Sequence, residues 1–557
     1  MHEVTLIYNK SNPYGISRDV EGLVAALSSC KIKHADPLEP PHPSQIAIHL
    51  EVPSYCWMAW SGVNILVVNP EWFQDAWIPY MSKFDYVIYK DSLSAAAAVD
   101  ARHVAAEKVR VVPWGAAEPP ADIKRAKGTA DTGFVWFLGN SKNKRAYVPK
   151  LLAKWKQSYP PLRIYTVESL DMSGALLPNV RVEVQDLDAN MRNGLAAFFR
   201  GHVCCSEAEG FGYTAAEAEW HGAFTLLNDL NCYCSDYANQ AGAYISTEES
   251  LDAAMKEFEA TDFEALAVKR KAQAAARYSS FLKNIMAVVN EACVPTDWPR
   301  LPPILQRDEC PPISIVTLMY NRRKFFDLAC HNILASDYPK SQIEWIIVED
   351  SDDPNEDASD LITAVANKSD ALKIVYVPLK KKTSVATKRN IGVRKATAEI
   401  VLMMDDDDHY PETSFRRRVA WLTKHPWRPK AVAATTIACY DLVKGISAVN
   451  VPPMDIPLGQ RVSEATLTFY RAWWETKEFP AAVQIGEGEE FLAWREGEVL
   501  EIPPQQIIVA FSHGKNASSR RIPSGAEIKP GCFWGFPKEF LVFVHGLAGV
   551  KVVAEQE

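Results

Sequence analysis

The run Asp405-Asp406-Asp407-Asp408 directly follows the apolar stretch Ile400-Val401-Leu402-Met403-Met404. Four adjacent carboxylates at the exit of a buried strand repel one another, so they call for a neutralising partner. A hard divalent cation suits them, because it takes oxygen ligands and keeps positions open for substrate phosphates. Open α/β sheets also bind their ligands where strands reach their carboxyl ends. Taken alone, the run is equally compatible with a solvated acidic turn. Further along, Gln484-Ile485-Gly486-Glu487-Gly488-Glu489-Glu490 gathers carboxylates at a helix start, where the helix dipole favours them. His513 follows the apolar run Ile507–Ala510 and sits among Gly, Asn and Ser, residues suited to a binding loop. In the first half, Glu209 and Glu217 are separated by seven residues that begin with Gly210-Phe211-Gly212. Such glycines let backbone amides approach a phosphate or sugar, and a helix beginning near Tyr213 points its positive end there.

The elements that must position these groups read as alternating strands and helices. After Pro311-Pro312, Ile313–Met319 is a β-branched apolar run, as expected of a buried parallel strand, and ends in Tyr320-Asn321-Arg322-Arg323. A helical pattern from about Lys324 to Ala335 follows. Trp345–Val348 leads to Glu349-Asp350-Ser351-Asp352-Asp353, and Ile374–Val377 to Lys380-Lys381-Lys382. A helix carrying Thr387-Lys388-Arg389-Asn390-Ile391-Gly392 then precedes the acidic strand end. This alternation gives a parallel sheet with right-handed crossovers, which gathers the strand ends on one edge.

Four stretches in order, Ser314–Thr317 with Tyr320-Asn321-Arg322, Val348–Ser351, Lys388–Gly392 and Met404–Asp408 with Pro411, resemble family 2 glycosyltransferases of the GT-A fold. The resemblance implies that Thr317 and Asp350 hold the nucleoside end of a donor, that Arg389 faces the nucleotide and that Asn321 belongs to the donor-binding set. It makes Asp405 and Asp407 an Asp-x-Asp pair carrying Mn²⁺ or Mg²⁺ on the diphosphate. Asp406 stays a donor-site candidate, since the register is open by one residue. A metal clamp there would stabilise the charge on the departing diphosphate. A base must also take the acceptor's proton. Related enzymes carry Gly-Glu-Asp near 486–488 with the Asp as base. Here that position is Gly488, so Glu487 or Glu489 takes the role, with Glu489 preferred. A His late in such enzymes completes the metal or phosphate site, which makes His513 a further metal candidate. Trp473-Trp474 suits either an acceptor pocket or the core.

In the first half, strands are expected at Val4–Tyr8, Ile46–Leu50, Asn64–Val68, Tyr86–Tyr89 and Val109–Val112, with a helix from about Arg18 to Leu27. A second lobe opens with the strand Phe134–Leu138, followed by Gly139-Asn140-Ser141-Lys142-Asn143-Lys144-Arg145. The segment Ser206–Ala218 resembles the family 4 glycosyltransferase signature, which implies a two-lobed GT-B module. By that resemblance Glu209 contacts the donor sugar, Gly210 lies against it and Glu217 reaches the ribose. Gly15, in the turn after the first strand, joins the donor-binding set. The Arg usual after the second lobe's first strand is Asn140 here, while Lys144 or Arg145 matches the downstream Lys.

At 557 residues, two or three compact units are expected rather than one core. The expected division is two Rossmann-like lobes at 1–118 and 119–294, a Pro-rich linker at 295–312 and a GT-A domain at 313–557. Apolar content of 48% and charged content of 23% are ordinary for a globular protein. A net charge of −9 argues against a mainly electrostatic nucleic-acid binder. Basic runs at Lys380–Lys382, Arg416–Arg418 and Arg520-Arg521 read as solvated faces or as phosphate contacts. Neither an apolar run of ~20 residues nor a signal-peptide pattern is found. The 11 scattered Cys, with no Cys-x-x-Cys pair, favour a reducing cytoplasm.

The expectation is therefore an α/β protein, a pair of GT-B-like Rossmann lobes followed by a GT-A-like domain. It would be a bifunctional, cytoplasmic glycosyltransferase using UDP-, GDP- or dTDP-sugars and a glycan or other hydroxyl acceptor. The GT-A half would be metal-dependent and inverting, the GT-B half retaining. Alternatives are a single-activity enzyme whose first half recognises the acceptor, hydroxymethylated DNA among the acceptors, and a non-catalytic carbohydrate-binding protein.

Overall fold

The computed structural model describes residues 2–12, 15–119, 133–170, 176–236, 242–244 (backbone), 247–292, 302–368, 371–482, 486–513, 516, 532 and 534–550. Pro13-Tyr14, the polar stretch 120–132, most of the first Pro-rich turns at 293–301, Gln484-Ile485, Gly514-Lys515, Ala517-Ser518 and Arg520-Arg521 lie outside them. The chain forms two compact units. One comprises residues 1–40, 44–53 and 61–294, the other 41–43, 54–60 and 295–557.

The first unit contains two six-stranded sheets, every pairing in them parallel. The first sheet holds β1 (Glu3–Ile7), β2 (Lys31–Ala35), β3 (Ser44–Leu50), β4 (Ser61–Val67), β5 (Tyr86–Tyr89) and β6 (Val109–Val111) in the order β2-β1-β3-β4-β5-β6. β2 escaped the sequence reading because Lys-Ile-Lys-His-Ala is an edge strand that buries only Ala35 fully and has no apolar run. The second sheet holds β7 (Phe134–Gly139), β8 (Leu162–Thr166), β9 (Val180–Val184), β10 (Gly201–Val203), β11 (Phe224–Leu227) and β12 (Gly242–Tyr244) in the order β12-β11-β10-β7-β8-β9. The strand order reverses between β1 and β3 and again between β7 and β10. At such switch points the loops diverge to opposite faces and leave a crevice at the carboxyl ends.

The second unit has a seven-stranded sheet. β13 (Ile313–Met319), β14 (Ile343–Glu349), β15 (Lys373–Pro378) and β16 (Ile400–Met403) form its parallel half. β17 (Ala431–Ala433), β20 (Thr468–Tyr470) and β21 (Val499–Glu501) complete the order β15-β14-β13-β16-β20-β17-β21. β18 (Ile437–Asp441), β19 (Ile446–Asn450) and β22 (Val509–Ser512) make a small sheet of order β19-β18-β22. β14 is buried along its whole length, and all of β13 but Leu318, which is why they read as unbroken apolar runs. The helix Phe326–Ala335 lays Phe326 flat on Trp345, with ring centroids 5.6 Å apart. The switch point here lies between β13 and β16, so their exits, Tyr320–Arg323 and Asp405–Asp408, face one crevice.

Candidate active site

The acidic exit of β16 is braced from several sides. Tyr410 Oη accepts from the Asp405 amide at 2.9 Å, and Asp408 Oδ1 accepts from the Phe511 amide at 2.9 Å. His409 exchanges backbone hydrogen bonds with Val509, tying this loop to β22. Arg322, from the exit of β13, donates through one nitrogen to Asp406 Oδ1 at 3.0 Å and to Asp407 Oδ2 at 2.7 Å. His513 Nε2 and Asn516 Nδ2 also donate to Asp407 Oδ2, at 3.1 and 3.3 Å. Burial, reinforced by Asp407 and Asp405, pushes Asp406 up to about 7 despite Arg322. Its Oδ2 is buried without a hydrogen-bond partner among the described residues.

A divalent ion fits this exit. Asp405, Asp407 and Asp408 each offer a carboxylate oxygen, and those oxygens lie within 4.8 Å of one another. An all-oxygen donor set is what Mg²⁺ and Mn²⁺ take. The sequence pair Asp405 and Asp407 is thus joined by Asp408, while His513 touches the cluster through Asp407. Asp406 lies outside that oxygen set and accepts from Arg322, a donor it shares with Asp407.

The neighbouring helix Val385–Lys395 and the turn after β14 bring up Asp350, Lys388 and Arg389. Lys388 Nζ pairs with Asp350 Oδ1 at 2.6 Å, both side chains nearly fully buried, and the Thr383 amide donates to Asp350 Oδ2 at 2.7 Å. Arg389 Nε lies 3.4 Å from Glu487 Oε1. Asn321 adopts φ +50°, donates to Asp352 Oδ1 at 2.7 Å and accepts from the amides of Asp352 and Asp353. It therefore fastens the loop behind Asp350. Thr317 is fully buried, and its hydroxyl accepts from the Trp345 indole at 2.9 Å, so its side chain is spent inside the sheet. Glu487 and Glu489 open the helix Glu487–Leu492, and their side chains diverge: Glu487 turns to Arg389, whereas exposed Glu489 accepts from Gln460 Nε2 at 2.8 Å. Trp473 and Trp474 are core residues, their indoles donating to Glu498 and Asn390.

Within the run Arg416–Arg418, only the last residue is fully enclosed, and Arg416 and Arg417 are part-exposed. Arg418 is fully buried and donates to the backbone oxygens of Met403 and Leu467, which fixes the end of β16; Arg416 pairs with Asp337. Sequence reading missed the roles of Arg322 and Asp408. Arg322 was visible as the cation ending a strand that flanks the acidic one.

The first unit builds its constellation from both of its sheets. Gly212, at φ +79°, caps the helix Tyr213–Trp220. From that helix Glu217 projects between Arg18 and Arg192, ion-paired with both. Burial alone would raise the Glu217 carboxyl, but Arg192 and Arg18 together hold it below the usual carboxylate range. Glu209 lies 3.5 Å from Lys144 Nζ. Lys144 and Arg145 stand in the first turn of the helix Lys142–Leu152, after β7, but Arg145 turns away to Glu168 at 3.2 Å. Gly210 meets Asn69 so closely that an added Cβ would fall 2.6 Å from its Cγ, so only glycine fits. Gly15 caps the helix Ile16–Ala26 and lies 3.8 Å, measured from an added Cβ, from the Tyr213 ring. Glu71 is pushed up to about 7 by burial and by Glu209 nearby, against the pull of Asn143 and Lys144. Arg18, Arg192 and Glu71 went unread in the sequence, because they lie far along the chain from the motif they complete.

A mostly parallel sheet with an acidic cluster at its switch point is the arrangement of a nucleotide-sugar transferase domain, and paired parallel sheets are that of a GT-B-like module. The profile of glycosyl transferase family 2 matches residues 314–442. No curated protein matches the chain. Among solved structures, the mannosyltransferase PcManGT of Pyrobaculum calidifontis, in complex with GDP-Man and Mn²⁺, is similar at 18% identity over 37% of this chain and 59% of its own length (TM-score 0.29). TarS of S. aureus (residues 1–349) is similar at 18% identity over 36% and 60% (TM-score 0.28). HepE of Anabaena, in complex with UDP and glucose, is similar at 12% identity over 52% and 100% (TM-score 0.41). The chain thus spans about three-fifths of the first of these, and none of the three is similar enough to carry an assignment. Among the described residues no helix is long and apolar enough to cross a membrane.

Proposed function

We propose that the protein is a bifunctional glycosyltransferase that uses nucleotide-sugar donors and a glycan or other hydroxyl acceptor. The observation that carries this reading is the three-carboxylate cluster at the β13/β16 switch point, inside the family 2 segment. In the second unit Asp405, Asp407 and Asp408 hold Mn²⁺ or Mg²⁺, with His513 and Asn516 steadying Asp407. Bound there, the ion supplies positive charge to a departing diphosphate. Asp350 and Asn321 shape the nucleoside end, Thr317 supports them from within the sheet, and Arg322, Arg389 and Asp406 border the donor. Reaction is by direct displacement with inversion, and a carboxylate takes the acceptor's proton. Glu487 and Glu489 are the candidates from the sequence.

In the first unit the donor lies at the β7/β10 switch point among Gly15, Lys144, Arg145, Glu209, Gly210 and Glu217. Cations from side chains do there what a metal does in the second unit, so this half is metal-independent, and its resemblance to family 4 implies retention. Fusion raises the effective concentration of a shared intermediate. The test is slow hydrolysis across UDP-, GDP- and dTDP-sugars with Mn²⁺ or with EDTA. Two donors, one EDTA-sensitive and one not, establish the bifunctional reading. A single EDTA-sensitive activity reduces the first half to acceptor recognition. No turnover and no donor binding leave a carbohydrate-binding protein.

A further inference from the structure

The second unit lacks a carboxylate where its family pattern has one, at Gly488, and the structure shows what stands in that space. Glu464 opens a short 3₁₀ turn, Glu464–Thr466, immediately before β20. An ideal Cβ on Gly488 would fall 2.6 Å from Glu464 Cγ and 2.8 Å from its Cδ, and closer still to Oε1. The carboxylate of Glu464 therefore occupies the volume into which a side chain at 488 would project. Gly488 has φ in the ordinary helical range, so its lack of a side chain answers to that volume rather than to backbone conformation.

We propose that Glu464 is the base of the second unit, a carboxylate supplied from the turn before β20 in place of the one missing at Gly488. The proposal rests on the glycosyltransferase reading given above. Glu464 lies beside Gly488, whose chain neighbour Glu487 is partnered by Arg389. The residue after Glu464, Ala465, accepts through its carbonyl from Tyr410 Oη, which in turn accepts from the Asp405 amide of the acidic cluster. Glu487 is held by Arg389, whereas Glu464 enters no ion pair among the described residues and is half-buried. Glu489 instead spends its carboxylate on Gln460 at the exposed side of the helix.

In the step itself the acceptor oxygen forms a bond to the anomeric carbon as the bond from that carbon to the phosphate oxygen breaks. The bonding pair leaves with the nucleoside diphosphate. The hydroxyl proton passes to Glu464, which returns it to water after product leaves.

The experiment compares wild type, Glu464→Gln, Glu487→Gln and the double variant Glu464→Ala/Gly488→Asp, with Mn²⁺ and UDP-glucose, UDP-N-acetylglucosamine, GDP-mannose and dTDP-glucose as probes. Donor binding is followed by calorimetry and nucleoside diphosphate release by turnover in water. Glu464→Gln is expected to bind donor within about threefold of wild type and to lose roughly 10²–10⁴-fold in turnover, the range of general base catalysis. Azide, a nucleophile with no proton to give up, should restore release in Glu464→Gln. The double variant, which puts a carboxylate back at 488 and clears the space for it, should recover at least about tenfold over Glu464→Gln. Turnover of Glu464→Gln within threefold of wild type, or a loss that neither azide nor the double variant relieves, overturns the proposal. Wild type that binds none of the probes overturns the glycosyltransferase reading itself, and the base with it.

Discussion

The two units solve the same electrostatic problem in opposite ways. In the first, each carboxylate singled out by its motif is met by side-chain cations: Glu217 by Arg18 and Arg192, Glu209 by Lys144. In the second, Asp405, Asp407 and Asp408 converge their carboxylate oxygens, and Arg322 reaches the run through Asp406 and Asp407. The first site is thus balanced by its own residues, whereas the second keeps an excess of oxygen donors that an external cation can satisfy. The contrast turns a shared α/β edge into one site that carries its positive charge permanently and one that must recruit it.

The strongest test of this contrast is Asp407→Ala. It should lower Mn²⁺-dependent donor turnover by roughly 10³-fold while EDTA-resistant turnover stays unchanged. A parallel loss of both activities would break the comparison. Glu217→Ala comes next: it leaves Arg18 and Arg192 facing one another and should cut the EDTA-resistant activity by about a hundredfold, with the Mn²⁺-dependent signal intact. Steady-state assays of both variants against both donors read these outcomes directly.

A smaller effect concerns pH. The folded protein holds Glu71 at about 7, above its ordinary value of 4.5. The native state therefore keeps a proton that the unfolded chain gives up, and stability falls as pH rises from about 4.5 to 7. After allowance for solvent screening, the loss is on the order of 1–2 kcal/mol. Glu71→Gln should flatten that slope in denaturant titrations across the window. Glu217 carries the opposite sign, being held low by Arg192 and Arg18, so its contribution is lost as pH falls. The smallest effect is Arg394→Gln. This arginine pairs with Glu478 in the open, and its loss should change stability by less than about 0.5 kcal/mol in the same titrations. A larger value would show that exposed pairs in the second unit matter more than its buried cluster suggests.

Much of the fold was legible because buried parallel strands write themselves as apolar runs. Ile313–Met319 and Tyr86–Tyr89 are strands over those residues. The edge strand Lys31–Ala35 was not legible, since it buries too little to need a pattern. The crowding of Asp405–Asp408 was plain from the chain, but which oxygens converge was not. The strand exit turns Asp406 toward Arg322 and leaves Asp408 in the cluster. The paired tryptophans Trp473 and Trp474 read equally as pocket or core, and only their enclosure and their bonds to Glu498 and Asn390 decided for core.

The sequence by itself determined the α/β class, the acidic exit of β16 and the Glu209/Glu217 spacing, because periodicity and local motifs are properties of neighbours along the chain. Tertiary structure decided the partners: Arg322 for Asp406, Arg18 and Arg192 for Glu217, and Glu464 against Gly488. These groups come from distant segments, and the sheet switch points bring them together. Charge and volume are compensated in space, where residues from any part of the chain can meet.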